Sequence, residues 1–341
     1  MKILITLILT CAAAVAADPG QSLREASAKK AGQAPVVVGQ DGWLFLPSEL
    51  RHIGAGKFWG PQATEVSKAT KPENADPLPA ILDFKKQLDD AGVELILVPV
   101  PSKAFVYPEA ILGGETTGAA PRRADDFHQE FFEELRKNGI TVVDLLPDFL
   151  AQRHGSKGPV FCRQDTHWSG AGIVLAAEKI TLLLKDKPWL IEAHKIGTQT
   201  AWKEIEITGD LWGMLPTDKP AKEKLQLRFV GTTETGGVQP VLSAKESPVV
   251  LLGDSHALIF HAGGDMLATG AGLADQLASD LGIPIDVIGV RGSGATPARV
   301  NLLRRIRADP SYLSGKKALI WCFTVREFTE STGWSVLPLQ K

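Results

Sequence analysis

Apolar residues recur along this chain in two rhythms. Short continuous runs alternate with stretches spaced at three and four. Asp76-Pro77 is a helix-start signal, and Ile81, Leu82, Phe84 and Leu88 then share a face up to Gly92. The run Glu94–Val100 (ELILVPV) comes next and predicts a buried strand. A second helix is predicted over Pro121 to Asn138, with Phe127, Phe131 and Leu135 on one stripe and Gly139 closing it; Ile140 to Leu145 then predicts a strand. A third helix is predicted from Ser169 to Lys185, with Ile173, Ala177, Ile180 and Leu184 facing inward. The last third repeats the alternation. Strands are predicted over Val249–Leu252, Ile283–Val290 and Ala318–Phe323, and helical stretches from Ser255 to Leu281 and over Pro297 to Ala308. Strands that alternate with helices form a mostly parallel sheet covered on both faces, and such sheets carry their sites beyond the carboxyl ends of the strands. The fold class is therefore α/β.

Other segments lack this regularity. Val36–Gly39 and Gly42–Leu46 read as two short strands across a turn. Residues 51–74 read as loop, residues 189–247 as an irregular β-containing insertion, and residues 331–341 as a C-terminal tail. Residues 18–34 have no clear period and predict a flexible arm. The first 17 residues show one lysine, Lys2, an apolar run from Ile3 to Leu9 and small residues up to Ala16-Ala17, the order of a secretory signal peptide. That run is far below the roughly 20 apolar residues of a spanning helix. Cys11 falls within the peptide, so export leaves Cys162 and Cys322, which form either a disulfide or two buried thiols in an oxidising compartment.

Composition then narrows the function classes. With 341 residues, of which 44% are hydrophobic, the chain has material for one large core without metals or staples. Its formal net charge of −2 argues against a protein that coats nucleic acid.

The candidate chemistry lies beyond the strand ends. Gly253-Asp254-Ser255-His256 is a tight strand-to-helix turn that exposes a serine, and a serine becomes a nucleophile only beside a base that takes its proton. Asp165 and His167 stand two apart, so in an extended loop their side chains point the same way and the carboxylate can orient the imidazole. Such a pair also occurs as a structural loop or as half of a metal site; no further ligand cluster accompanies it, so no metal is expected. Trp168 reads as packing or as a sugar-stacking platform. Four arginines, Arg299, Arg304, Arg305 and Arg307, suggest a basic groove or a solvated helix face.

Taken together, Gly42-Trp43-Leu44-Phe45, Val98-Pro99-Val100-Pro101-Ser102-Lys103, Tyr107-Pro108, Asp165-Thr166-His167-Trp168, Gly209-Asp210-Leu211 and Gly253-Asp254-Ser255-His256 resemble the SGNH hydrolase-like domain of the alginate O-acetylation proteins (AlgX/AlgJ-type) over about residues 35–330. The resemblance implies a flavodoxin-like three-layer α/β/α sandwich and a periplasmic protein that moves acetyl groups onto hydroxyls of an exopolysaccharide. It implies a triad of Ser255, His167 and Asp165, an acetyl donor supplied by a membrane-bound O-acyltransferase partner, and no soluble cofactor. Gly292 is implied as an oxyanion donor or a plain strand-exit glycine. Arg326 is implied as a holder of the acyl group or of a uronate carboxylate, or as a structural ion-pair partner. A carbohydrate O-acetylesterase with the same triad and a non-catalytic polysaccharide-binding scaffold are the alternatives. The oligomeric state and the identity of the polysaccharide are not legible in the sequence.

Overall fold

The computed structural model describes residues 18–32, 34–113, 121–232 and 239–339. The predicted signal peptide lies outside them. Nine strands are described: β1 (Val37–Val38), β2 (Leu44–Phe45), β3 (Glu94–Val100), β4 (Thr141–Val142), β5 (Thr198–Ile207), β6 (Glu223–Thr232), β7 (Val249–Gly253), β8 (Asp286–Gly289) and β9 (Ala318–Thr324). Five of them form one parallel sheet in the order β4-β3-β9-β7-β8.

Side chains alternate along a strand, and here the alternation feeds two cores. Ile96, Val98, Val249, Leu251, Ile320 and Cys322 point into one core; Leu95, Leu97, Val250, Leu252, Leu319 and Trp321 point into the other. The first core is roofed by the helices Gly170–Leu184 and Leu273–Leu281, the second by Pro77–Asp90, Asp126–Lys137 and Thr296–Ala308. This is the expected three-layer α/β/α sandwich. Burial on both faces explains why the strands read as continuous apolar runs. Ile173, Ala177, Ile180 and Leu184 are all buried as predicted, and Ser169 caps their helix through Ala171 N–H and Gly172 N–H.

The structure corrects several expectations at the margins. Residues 18–34 are not an arm: Asp18 caps the helix Pro19–Lys30, whose Leu23 and Ser27 are fully buried. It packs so closely on the helix Pro47–Ala55 that a Cβ on Gly54 would stand 2.9 Å from the Cβ of Ala28. With one large apolar residue on its buried face, this helix is held by backbone approach rather than by an apolar stripe. The helix Pro47–Ala55 runs into the segment read as loop and buries Leu50 and Ile53. Within the predicted insertion, β5 and β6 form a regular antiparallel hairpin paired over ten residues each, from Thr198↔Thr232 to Ile207↔Glu223. Leu225, Leu227 and Val230 anchor it to the first core. After Ser255 the backbone makes a short helix, Ser255–Leu258, and a 3-10 turn, Gly264–Met266, before Leu273–Leu281 begins. The tail also packs onto the body: Trp334 and Leu339 are buried, and Trp334 Nε1–H donates to the Glu327 carbonyl at 3.0 Å. Among the described residues no helix is long and apolar enough to cross a membrane.

Cys162 and Cys322 are two buried free thiols, so the disulfide alternative does not hold. Burial pushes both thiols up from their ordinary range. The four arginines do not build a groove: Arg299 is buried against Trp321 and Trp334, Arg305 pairs with Asp286, Arg304 reaches Asn301, and Arg307 is exposed.

Candidate active site

Ser255 stands one turn beyond the end of β7, beside the central strand β9. The turn demands glycine at 253, because a Cβ there would lie 2.1 Å from the Cys322 carbonyl oxygen of β9. Asp254 locks the turn itself. Its carboxylate accepts from His256 N–H at 2.8 Å and from Thr324 N–H at 2.8 Å, tying the serine to the end of β9.

His167 comes from the far side of the fold, 88 residues earlier in sequence, and its Nε2 lies 2.7 Å from Ser255 Oγ. Its Nδ1 lies 2.7 Å from Asp165 Oδ1, which also accepts His167 N–H at 3.0 Å. The aspartate thus fixes both the backbone and the ring of its histidine. Burial opposes charge on Asp165, yet the His167 ring and the N–H groups of Asp210 and His167 hold its carboxyl well below the usual range. Burial likewise disfavours the His167 imidazolium, but Asp165, with help from Asp210 and Asp254, raises its pKa above the ordinary value. A base oriented and strengthened in this way, in hydrogen-bond reach of a serine, can take the hydroxyl proton and later return it.

Two motifs for which sequence reasoning found no role hold this relay in place. Lys103, fully buried, donates from Nζ to the Leu44 carbonyl at 2.9 Å and to the Asp165 carbonyl at 2.6 Å. Its own N–H donates to Glu49 Oε1 at 2.8 Å. The lysine after β3 is therefore a strut under the Asp165 loop. Asp210 N–H donates to Asp165 Oδ2 at 2.8 Å, while Asp210 Oδ1 accepts Thr166 N–H at 2.7 Å. The approach is so close that a Cβ on Gly209 would lie 2.2 Å from the Gln164 carbonyl oxygen. Asp165, His167 and Asp210 present ligand atoms within 4.8 Å of one another, but these hydrogen bonds already occupy them. A sequence signal for both roles existed: a lone lysine beside an apolar strand, and a Gly-Asp step, both inside short motifs.

The remaining predicted residues separate. Trp168 is fully buried, with Nε1–H donating to the His256 carbonyl at 3.2 Å, so it packs the loop and presents no face to a sugar. Gly292 is exposed on the turn after β8 with φ +106°; the glycine pressed against the serine turn is Gly294, whose Cβ position would lie 3.1 Å from Asp254 N. Arg326 lies two residues past β9, and its buried Nη1 has no hydrogen-bond partner among the described residues. Its charge acts on Asp254, His256, Glu49 and Glu327.

Comparison with known proteins gives the family. Residues 36–324 match a family model described as the SGNH hydrolase-like domain, acetyltransferase AlgX. A probable alginate O-acetylase AlgJ of Pseudomonas aeruginosa is 30% identical over 231 residues, covering 66% of this chain and 53% of the relative. The chain thus spans about half the length of that relative. The probable alginate O-acetylase AlgJ of Pseudomonas fluorescens is 29% identical over 303 residues, 86% of this chain and 68% of its own. Among solved structures, the O-acetyltransferase domain of Pseudomonas putida AlgJ superposes with a TM-score of 0.62 at 23% identity, covering 86% of this chain and 91% of that one, and shows the shared fold.

Proposed function

Because this chain belongs to the family of the SGNH hydrolase-like domain of the acetyltransferase AlgX, we propose that it is an O-acetyltransferase that moves acetyl groups onto hydroxyls of an alginate-like polysaccharide through an acetylated Ser255. The observation that carries this reading is the unbroken relay Asp165–His167–Ser255, with both contacts at 2.7 Å.

The reaction divides into two halves. In the first, His167 Nε2 takes the Ser255 proton as Oγ attacks the acetyl carbonyl of the donor; the tetrahedral intermediate collapses, and the leaving group departs with the proton from His167. In the second, His167 takes the proton of a sugar hydroxyl as its oxygen attacks the acetyl carbonyl. The bond to Oγ breaks, and the proton returns to Ser255. Asp165 keeps the imidazole in one tautomer and stabilises the imidazolium in each half. The unpartnered Nη1 of Arg326 is buried, so its charge acts on the site through Asp254 and His256 rather than by direct contact with an incoming acyl or sugar group. On this reading the protein works in the periplasm once the leader predicted over the first 17 residues is removed, with donor acetyl supplied by a membrane-bound O-acyltransferase.

The test uses an activated acetyl ester with and without a uronate oligosaccharide, following acetate and acetylated sugar by mass spectrometry, with Ser255→Ala as control. Acetylated sugar formed only with Ser255 intact supports transfer. Acetate alone makes the protein an esterase, and donor turnover that ignores Ser255 leaves it a scaffold.

A further inference from the structure

A cavity of about 310 Å³ is lined on one side by Arg163, two residues before Asp165, and neither half of the transfer reaction uses it. Its inner wall is rigid. Trp43 and Tyr107 stack with ring centroids 3.9 Å apart, and Arg153 is paired with Glu109 at 3.0 Å. Its rim is exposed and polar, formed by Asp41, His154 and Arg163.

Arg163 is built differently from Arg153 across the cavity. Its backbone is clamped on both sides: its N–H donates to Glu223 Oε1 at 2.9 Å and its carbonyl accepts from Leu44 N–H at 2.8 Å. Its guanidinium lies 5.6 Å from the Trp43 ring centroid and has no carboxylate partner among the described residues. A fixed base with an unpaired, aromatic-braced guanidinium is prearranged for an incoming carboxylate, which its fork can bind through two hydrogen bonds.

Two more cations come from the segment that leads into β6. Trp212 N–H donates to the Gln164 carbonyl at 3.0 Å, and the exposed Lys219 and Lys222 place their ammonium groups 4.4 and 5.8 Å from the Trp212 ring centroid. Neither ammonium is paired with an acid among the described residues. Lys222 directly precedes Glu223, the residue that clamps Arg163. Three unpaired cations are thus mounted around Gln164, the neighbour of Asp165. Arg163 precedes His167 by four residues, so its Cα lies within about 14 Å of that of the base.

We propose that this cavity is an acceptor-holding subsite that binds one anionic, uronate-type sugar residue of the polysaccharide, its carboxylate on Arg163 and its hydroxyls on Asp41 and His154, while neighbouring carboxylates track along Lys222 and Lys219. This inference rests on the transferase reading for its polymer, but binding and transfer are measured separately. Several weak contacts along one polymer add through effective concentration, so a subsite away from the reacting hydroxyl raises occupancy and sets the direction of the chain.

The test is calorimetric binding of a uronate oligosaccharide, and of the same oligosaccharide with its carboxyls reduced to alcohols, to Ser255→Ala protein. Added to that background, Arg163→Ala is expected to weaken the uronate oligosaccharide about tenfold, and Lys222→Gln about threefold, with the carboxyl-reduced ligand unchanged by either. Melting curves confirm that each variant is folded, and Arg163→Lys is expected to restore part of the affinity. Uronate affinities within twofold of the parent for both variants, or equal losses for the charged and reduced ligands, overturn the subsite. If the binding pattern holds while native protein transfers no acetyl group, the subsite stands and the proposed transfer reaction falls. If transfer occurs without the binding differences, the reverse is true.

Discussion

Two copies of one short pattern, aspartate-x-histidine at Asp165–His167 and at Asp254–His256, meet in the site with their imidazole centroids 4.8 Å apart. In both, the aspartate accepts the backbone N–H of its histidine. The rings nevertheless have opposite characters. His167 Nδ1 is hydrogen-bonded to Asp165 at 2.7 Å and its pKa is raised; His256 Nδ1 stands 3.3 Å from Asp254, outside hydrogen-bond geometry, and burial brings its pKa down to about 4. The reason lies in what else each carboxylate serves. Asp254 is committed to closing the serine turn through Thr324 N–H, with the Arg326 charge also acting on it, whereas Asp165 is propped by Asp210 and left facing its ring. Spacing creates a dyad only when the rest of the fold spares the carboxylate for it.

That contrast can be broken by experiment. The largest expected effect is from His167→Ala, which should slow Ser255 acetylation by an activated ester at least about 10³-fold in stopped-flow or burst assays. A loss below tenfold would remove His167 as the base. Asp165→Asn is expected to cost on the order of 10²-fold to 10⁴-fold with little loss of fold, because it upsets the tautomer rather than the geometry. Lys103→Met should destabilise the protein by about 3 kcal/mol in denaturant titration, since the Leu44 and Asp165 carbonyls and the buried Glu49 lose their cation. His256→Gln should change the rate less than about threefold; a loss comparable to that of His167→Ala would make the two dyads equals.

The pH dependence sharpens the same comparison. His167 acts as a base only when neutral, and its pKa is raised, so the acetylation rate should climb with pH with a midpoint above about 6.5. A midpoint at or below that value would contradict the role of Asp165. The His256 ring, in contrast, should stay neutral through that range and titrate near 4 by NMR.

The sheet was legible because its strands are buried on both faces and so read as unbroken apolar runs, as in Glu94–Val100 and Ala318–Thr324. The relay was legible because its three residues sit in short motifs, Ser255 just past a strand end and Asp165 and His167 two apart in a loop. The helix Pro19–Lys30 was not, since its contact is made by Gly20, Leu23 and Ser27, small or single residues without a stripe. The second role of aspartate-x-histidine was hidden for a different reason: the hydrogen bonds that divert Asp254 come from Thr324, 70 residues away in sequence. Trp168 and Gly292 were left open between a packing or turn role and a substrate role, because sequence marks a tryptophan or a glycine near a motif without revealing which way it faces.

The two buried thiols stand in the two halves of the relay, Cys162 in the chain leading to the Asp165 loop and Cys322 on β9 behind the serine turn. Both are wholly shielded, so an alkylating reagent reaches each only when its own half opens. Peptide mapping of their labelling over time would therefore act as two separate clocks, recording whether the base or the nucleophile comes loose first and how often the protein disarms itself without unfolding.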